Sequence, residues 1–402
     1  MALIVQKFGG SSVADAQRIF HVAEIITKTY QQGNSVCVVL SAQGDTTDDL
    51  IEKAREINPD ASRREMDMLL SCGEQMSIAL MAMAIEKLGF PVVSLCAWQI
   101  GMATDSNHSA AHITKVDCER VKEELDRKRI VLVAGFQGVD RTGDITTLGR
   151  GGSDTTAVAL AVALQADLCQ IYTDVDGVYT SDPRIVPEAR KLSEITYDEM
   201  LELASMGAQV LHNRSVELAK SYGVQLEVLS SFTGNPGTIV KEVVKKVEKT
   251  YITGVAQDKK IARFALVGLE DVPGVAYKLF NLLAKDKINV DMIIQSLGHD
   301  ERKDIIFTVA DKDSMACARL LDENKDVLKY DHMDINTGVS KVSIVGAGML
   351  ENAGVAAKMF EALYQAHINI HMISTSEIKV SVLIDKEDSD RAVRVIHNIF
   401  FQ

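Results

Sequence analysis

The chain has 402 residues, a hydrophobic fraction of 47% and a formal net charge of −13. That length exceeds one compact core and calls for more than one folded unit, while the acid excess offers no basic face for nucleic acid. The start Met1-Ala2-Leu3-Ile4-Val5 lacks the charged opening and long apolar core of a secretion signal, and no uninterrupted apolar run approaches the ~18 residues that span a bilayer. The expectation is a cytoplasmic protein without nucleic-acid or membrane partners.

In chain order, β-branched runs at residues 2–6, 35–40, 91–95, 130–134, 169–173 and 225–229 read as strands, separated by longer helical patterns. This alternation predicts an α/β unit with a mostly parallel sheet covered by helices, ligands meeting its carboxyl edge. The first strand runs straight into Lys7-Phe8-Gly9-Gly10-Ser11-Ser12, with a helix expected from Ala14. Consecutive glycines let backbone approach a ligand closely, the following helix start favours anions, and Lys7 adds a full positive charge. The pattern is a phosphate cradle but not a Walker A loop, because its lysine precedes the glycines. The bland reading is a structural turn.

Cys37, Cys72, Cys96, Cys118, Cys169 and Cys317 are scattered without a C-x-x-C pair and read as reduced apolar residues. His108 and His112 have helical i,i+4 spacing, but no acid between them as zinc chemistry would want, and Asn107 and Ser109 suggest a loop. No metal-ligating set is expected among the protein's own side chains.

A second glycine loop, Thr146-Thr147-Leu148-Gly149-Arg150-Gly151-Gly152-Ser153-Asp154-Thr155-Thr156, leads into an apolar helix over residues 157–164. Glycines around a guanidinium fork make a second anion site, and capping by Ser153 or Asp154 is compatible with binding. A third segment, from Tyr172 to Arg184, gathers hydroxyls, acids and an arginine after a strand, without the EF-hand spacing of a calcium loop. The lysine-rich stretch from Lys241 to Lys249 reads as a linker.

Beyond it lies an internal repeat. Gly274-Val275-Ala276-Tyr277-Lys278-Leu279-Phe280 aligns with Gly354-Val355-Ala356-Ala357-Lys358-Met359-Phe360, and Ile288-Asn289-Val290-Asp291-Met292-Ile293 with Ile368-Asn369-Ile370-His371-Met372-Ile373, at one constant offset. This is a duplicated strand–helix–strand–strand module.

Lys7 to Ser12, Ser71-Cys72-Gly73-Glu74, Gly149 to Thr156 and Thr173 to Arg184 together resemble the signature loops of the amino acid kinase fold and, specifically, of the aspartate kinase family, whose paired C-terminal ACT domains the repeat also resembles. The resemblance implies an amino acid kinase catalytic domain over 1–240, a linker over 241–251, a first ACT domain (βαββαβ) over 262–336, and a second built from 252–261 and 337–402. It implies transfer of the ATP γ-phosphoryl group, with Mg²⁺, to L-aspartate. Lys7, Phe8, Gly9, Gly10 and Ser41 would line the phosphate site, and Thr173, Asp174, Tyr179, Asp182 and Arg184 would contact ATP. Thr47, Glu74, Arg150, Gly151, Gly152 and Ser153 would hold aspartate, with Arg150 on a carboxylate, Glu74 nearest the amine, and Asp154 organising Lys7 or Mg²⁺. Lysine, threonine or both would bind at Asp271, Gly274, Ala276, Asn289, Asp291 and Gln295, and at Asn369 and Ile370. Gln209 and Asn213 depart from the Lys and Pro of many relatives, which puts one ATP contact at Gln209 in doubt.

An acceptor carboxylate with a pKa near ~3.9 is ionised at neutral pH, so no general base is required and the absence of histidine from these motifs makes sense. What must be overcome is repulsion between that carboxylate and the phosphates, a task for Lys7, Arg150, helix N-termini and Mg²⁺. Ile344-Val345-Gly346-Ala347-Gly348 opens like a dinucleotide fingerprint, but Glu351 stands where its third glycine belongs. Other kinases of the fold would not need the duplicated module, and a non-catalytic binding protein would not need Lys7, Arg150 and Asp154 intact. No methionine lies between Met206 and Met292 to start a separate regulatory subunit, so a homo-oligomer of one polypeptide, joined through the ACT domains, is expected.

Overall fold

The β-branched runs of the first half assemble into one eight-stranded sheet in the order Glu194–Thr196, Thr238–Lys241, Leu226–Ser230, Leu168–Thr173, Leu3–Phe8, Ser35–Leu40, Ile130–Ala134 and Val92–Leu95. In the computed structural model the described residues are 2–204, 210–244, 251–296, 302–349, 352 and 354–402. Neighbouring strands are parallel, except that Thr238–Lys241 runs antiparallel to Leu226–Ser230. Leu3 faces Ser35 and Phe8 faces Leu40, so the central strands end in register and their following loops share one edge. Parallel strands covered on both faces are apolar throughout, and every residue of Ile130–Ala134 is buried. Helices Ala16–Gln31 and Cys72–Lys87 cover the sheet, with Val22, Ile26, Ile78, Met81 and Ile85 packed against Val36, Val38, Leu40, Ile130 and Leu132. The stretch Arg63–Lys87 is long and apolar enough to cross a membrane, but Ile78, Met81, Ala84 and Ile85 within it serve this core.

Two features depart from the sequence expectation. The helix predicted from Ala14 starts at Ala16, because Gly10–Val13 first makes one 3₁₀ turn and the Asp15 carboxylate then caps the Arg18 amide at 2.9 Å. A second, four-stranded sheet of Ile113–Val116, Met102–Thr104, Gln137–Val139 and Ile145–Thr147 was not foreseen, since strands of three or four residues carry no readable period.

The chain divides into two compact units, Met1–Tyr179 with Arg190–Lys246, and Thr180–Ala189 with Val247–Gln402. The short segment Thr180–Ala189, read from sequence as part of residues 1–240, belongs to the second unit. Val186 lies in an apolar core with Ile252, Val342, Ile344 and Val382, and Arg394 Nε donates to the Ile185 carbonyl at 2.9 Å.

The second unit holds two antiparallel sheets, one of Val290–Gln295, Arg302–Ala310, Ile261–Glu270 and His332–Asn336, the other of Gly254–Asp258, Val339–Val345, Lys379–Asp385 and Met372–Thr375. Gly254–Asp258 pairs antiparallel with Val339–Val345, so a strand that precedes the first module in sequence completes the sheet of the second. Helices Val275–Lys285 and Val355–Gln365 follow Gly274 and Gly354, both at φ +94° with open space where a Cβ would be. Glycine is there for its left-handed backbone, not for room. The Gly346 of the dinucleotide-like run serves another purpose. A Cβ there would come 2.2 Å from the Tyr251 carbonyl oxygen, so this glycine permits a backbone crossing.

Candidate active site

Lys7 is the penultimate residue of the central strand and carries its ammonium back over the glycine turn. A Cβ at Gly9 would lie 3.5 Å from Lys7 Nζ. The same ammonium sits 2.7 Å from Asp154 Oδ1, with both side chains nearly buried. Asp154 stands in the first turn of helix Gly152–Leu164, which is buried through Ala157, Val158, Leu160, Ala161 and Leu164. The Lys7 ammonium thus balances the Asp154 charge.

Gly10 has no room for a side chain: a Cβ would meet the Ala42 carbonyl oxygen at 2.6 Å. The Gly44 amide donates to the Gly10 carbonyl at 3.0 Å, and the Ser41 amide to the Phe8 carbonyl at 3.1 Å, locking the loops after the first two strands together. On the far side of Ala42 sits the start of helix Cys72–Lys87. A Cβ at Gly73 would come 2.7 Å from that of Ala42, and Glu74 Oε1 accepts from the Ala42 amide at 3.2 Å. Glu74 is buried, its Oε2 has no hydrogen-bond partner among the described residues, and burial pushes its carboxyl up to about 7. Gly10, Ala42 and Glu74 thus form one backbone-linked wall beside Lys7. Thr47 lies half-buried in the first turn of helix Thr46–Ile57, whose first residue, Thr46, lies 3.7 Å from where a Cβ at Gly73 would be.

Arg150 is exposed on the turn between Gly149 and Gly151, both at positive φ, and leads into the amides that open helix Gly152–Leu164. Ser153 packs under Gly135, at the end of strand Ile130–Ala134, so this loop shares the carboxyl edge of the sheet. Thr173 and Asp174 end the strand beside Lys7 and hydrogen-bond each other at 2.9 Å. Tyr179 donates to Asp176 at 2.7 Å, and this bond drives its hydroxyl up to about 12. Phe8, by contrast, is fully buried with its ring stacked on Tyr172 at 4.4 Å, so its side chain is core and only its backbone meets the cleft. Asp182 and Arg184 lie in the second unit and pair with each other through a guanidinium fork, which holds the Asp182 carboxyl below its usual range.

Two residues that the sequence reading passed over brace the Arg150 turn. Arg214 donates to the Leu148 carbonyl at 2.9 Å and to the Ala111 carbonyl at 2.7 Å, and the His212 ring fills the space beside Gly151, where a Cβ would come 2.2 Å from its Cγ. The only sequence hint was the departure at Gln209 and Asn213. Gln209 lies outside the described residues, and Asn213 opens helix Asn213–Tyr222.

All six cysteines are free. His108 meets not His112 but Asp67, through Nδ1 at 3.0 Å, and its ring lies near Asp140 and Asp144. These acids are engaged by Thr142, Ser106 and Arg64.

In the second unit, Asp271, Gly274 and Ala276 surround the start of helix Val275–Lys285. Asp291 and Gln295 lie on the edge strand Val290–Gln295, with Asn289 just before it, and Asn369 and Ile370 precede Met372–Thr375.

The amino acid kinase family matches residues 2–230, and the ACT domain matches residues 264–324 and 342–400. The aspartokinase of Mycolicibacterium smegmatis is 50% identical over 405 residues, covering 100% of this chain and 96% of its own. That of Bacillus sp. (strain MGA3) is 48% identical, covering 100% and 97%. Among solved structures, E. coli aspartokinase III in complex with aspartate and ADP (R-state) matches over 100% of both chains with a TM-score of 0.84 at 26% identity. The same enzyme in complex with lysine and aspartate (T-state) matches over 100% of both chains with a TM-score of 0.77 at 25% identity. The chain belongs to the amino acid kinase family and, within it, to the aspartokinases.

Proposed function

We propose that this aspartate kinase makes 4-phospho-L-aspartate by clamping two anions, with Lys7 shared between the transferring phosphoryl group and Asp154. The carrying observation is the nearly buried Lys7–Asp154 pair at 2.7 Å, held over the Gly9 turn. Gly9, Gly10 and Ser41 supply backbone and hydroxyl contacts to the phosphates. Arg150, with Gly151, Gly152 and Ser153, binds a carboxylate of aspartate, while Glu74 and Thr47 take its ammonium end. The β-carboxylate arrives ionised and attacks phosphorus directly, the bond to the bridging oxygen breaks, and ADP leaves with that electron pair. Lys7 stabilises charge shared across the transferring group, most strongly in the transition state. Thr173, Asp174 and Tyr179 contact ATP. Magnesium suits oxygen donors. Asp154, in the first turn of helix Gly152–Leu164 and paired with Lys7, is the carboxylate of this loop that would hold it, and bound magnesium would neutralise phosphate charge. The product is an acyl phosphate, so hydroxylamine added to the reaction traps it as a hydroxamate that forms only when ATP and aspartate are both present; no hydroxamate would overturn the reading.

Arg214 positions the Arg150 turn. Replacing Arg214 with Met raises the KM for aspartate about tenfold while leaving that for ATP within about twofold, because the two carbonyls it bridges hold the carboxylate-binding loop. Arg214→Lys does not rescue, since one ammonium cannot reproduce the guanidinium fork. Equal effects on both substrates would make Arg214 merely structural.

The paired ACT domains bind lysine, threonine or both, join subunits of one polypeptide, and lower activity in a cytoplasmic pathway leading to lysine, threonine and methionine. Lysine is bound in the T-state structure of E. coli aspartokinase III, which supports a lysine effector. Allosteric coupling of ~1–3 kcal/mol gives ~5–150-fold weaker binding of the affected ligand. Initial rates with lysine and threonine, singly and together, test this; unchanged rates in all three arms would remove the sensing role for these ligands.

A further inference from the structure

The carboxylates put forward for an effector's ammonium are each already paired with an ammonium of the chain itself. Lys303 Nζ lies 2.9 Å from Asp271 Oδ1, and Lys341 Nζ pairs with Asp291 Oδ2. Both lysine side chains are more than nine-tenths buried, Lys341 being 5% exposed, whereas Asp291 is 44% exposed. Lys341 stands on Val339–Val345, in the interior of the second sheet, and Asp291 on the edge strand of the first, so this pair ties the two modules together. It also borders their shared apolar core. Val339, on the same strand face as Lys341, packs there with Met292, the residue after Asp291.

The repeat supplies an internal control. At its constant offset His371 occupies the place of Asp291, and Arg263 holds the place of Lys341, because Ile261 pairs with Ala310 and Val339 with Asp385 at the matching ends of the two sheets. Arg263 pairs with Asp334 of its own sheet, and His371 turns instead to Asp385, 2.9 Å away. Of the two equivalent cations, Lys341 reaches a carboxylate of the other module and Arg263 one of its own sheet.

We propose that Lys341 is a built-in competitor for Asp291, so that an amino-acid effector enters the site by displacing a lysine of the chain. This rests on the reading that Asp291 receives the effector's ammonium. A buried lysine that loses its carboxylate must be re-solvated. Displacement thus opens the sheet-to-sheet tie at that end and couples occupancy to the packing of the two modules. The apparent affinity is lowered by the fraction of time the pair is open. The ligand class is an α-amino acid with a free primary ammonium.

Calorimetry on the full-length chain with L-lysine and L-threonine, alone and together, tests the proposal in Lys341→Met and Asp291→Asn variants, with circular dichroism to confirm folding. Lys341→Gln replaces the Met variant if that one does not fold. Removing the competitor lowers the effector's Kd at least about fivefold, and Asp291→Asn abolishes binding. Unchanged or weaker binding in the Lys341 variants, with binding lost in Asp291→Asn, overturns the competitor and leaves the Asp291 reading standing. Normal binding in Asp291→Asn, or no binding to any form, overturns that reading and the inference with it.

Discussion

Lys7→Ala lowers turnover by ~10²-fold or more, the usual consequence of removing a preorganised charge from the position where charge is shared in a transition state. The structure sharpens the reason. Lys7 is the ammonium that sits over the glycine turn, and it balances Asp154 at 2.7 Å in a nearly buried setting. Removing it withdraws charge from the phosphoryl group and leaves the Asp154 carboxylate uncompensated beside an anionic substrate. Both effects act against phosphates more than against folding, so circular dichroism of the variant remains native while single-turnover phosphoryl transfer slows. A folded Lys7→Ala protein with near-normal turnover contradicts the assignment.

Glu74→Ala raises the KM for aspartate about 10- to 100-fold and that for ATP far less, as expected for loss of a charge-assisted hydrogen bond to a substrate ammonium. Glu74 also imposes a pH dependence. Burial places its carboxyl at about 7, so in the free enzyme it is partly protonated near neutrality and only the ionised form receives the ammonium. Aspartate binding therefore strengthens as pH rises from roughly 6 to 8, and Glu74→Gln flattens that limb. Stability runs the opposite way. The folded protein holds this proton more tightly than the unfolded chain, so the contribution is complete below the ordinary carboxylate range and is lost as pH rises through about 7. Measurement of KM for both substrates across this range checks the prediction. Equal shifts for ATP and aspartate would make Glu74 a structural residue.

The features legible in sequence are those with local causes. Strand Ser35–Leu40 is a β-branched run buried along its length, and it reads as what it is. The turn at Gly10 and the loop around Arg150 announce themselves because a side chain at Gly10 would strike the Ala42 carbonyl and because Gly149 and Gly151 sit at positive φ. The repeat exposes the paired modules through residues such as Gly274 and Gly354, which share one backbone conformation. What stayed hidden depends on distant partners. Arg214 matters through carbonyls 66 and 103 residues away. The elevated Glu74 carboxyl arises from burial, which outweighs the lowering pull of the Ala42 amide, and the assignment of Thr180–Ala189 to the second unit rests on Val186 and Arg394. Phe8 shows the opposite hazard, since a residue inside a binding motif turns its ring into the core.

The most direct test of the central claim is ADP formation by the purified chain with ATP and magnesium, measured with L-aspartate, L-glutamate or carbamate as the acceptor. The clamp of Lys7, Arg150 and Glu74 predicts ADP release that depends on aspartate and is much slower with the other two. Release with carbamate or glutamate matching or exceeding that with aspartate, or no aspartate-dependent release from the folded protein, would contradict it.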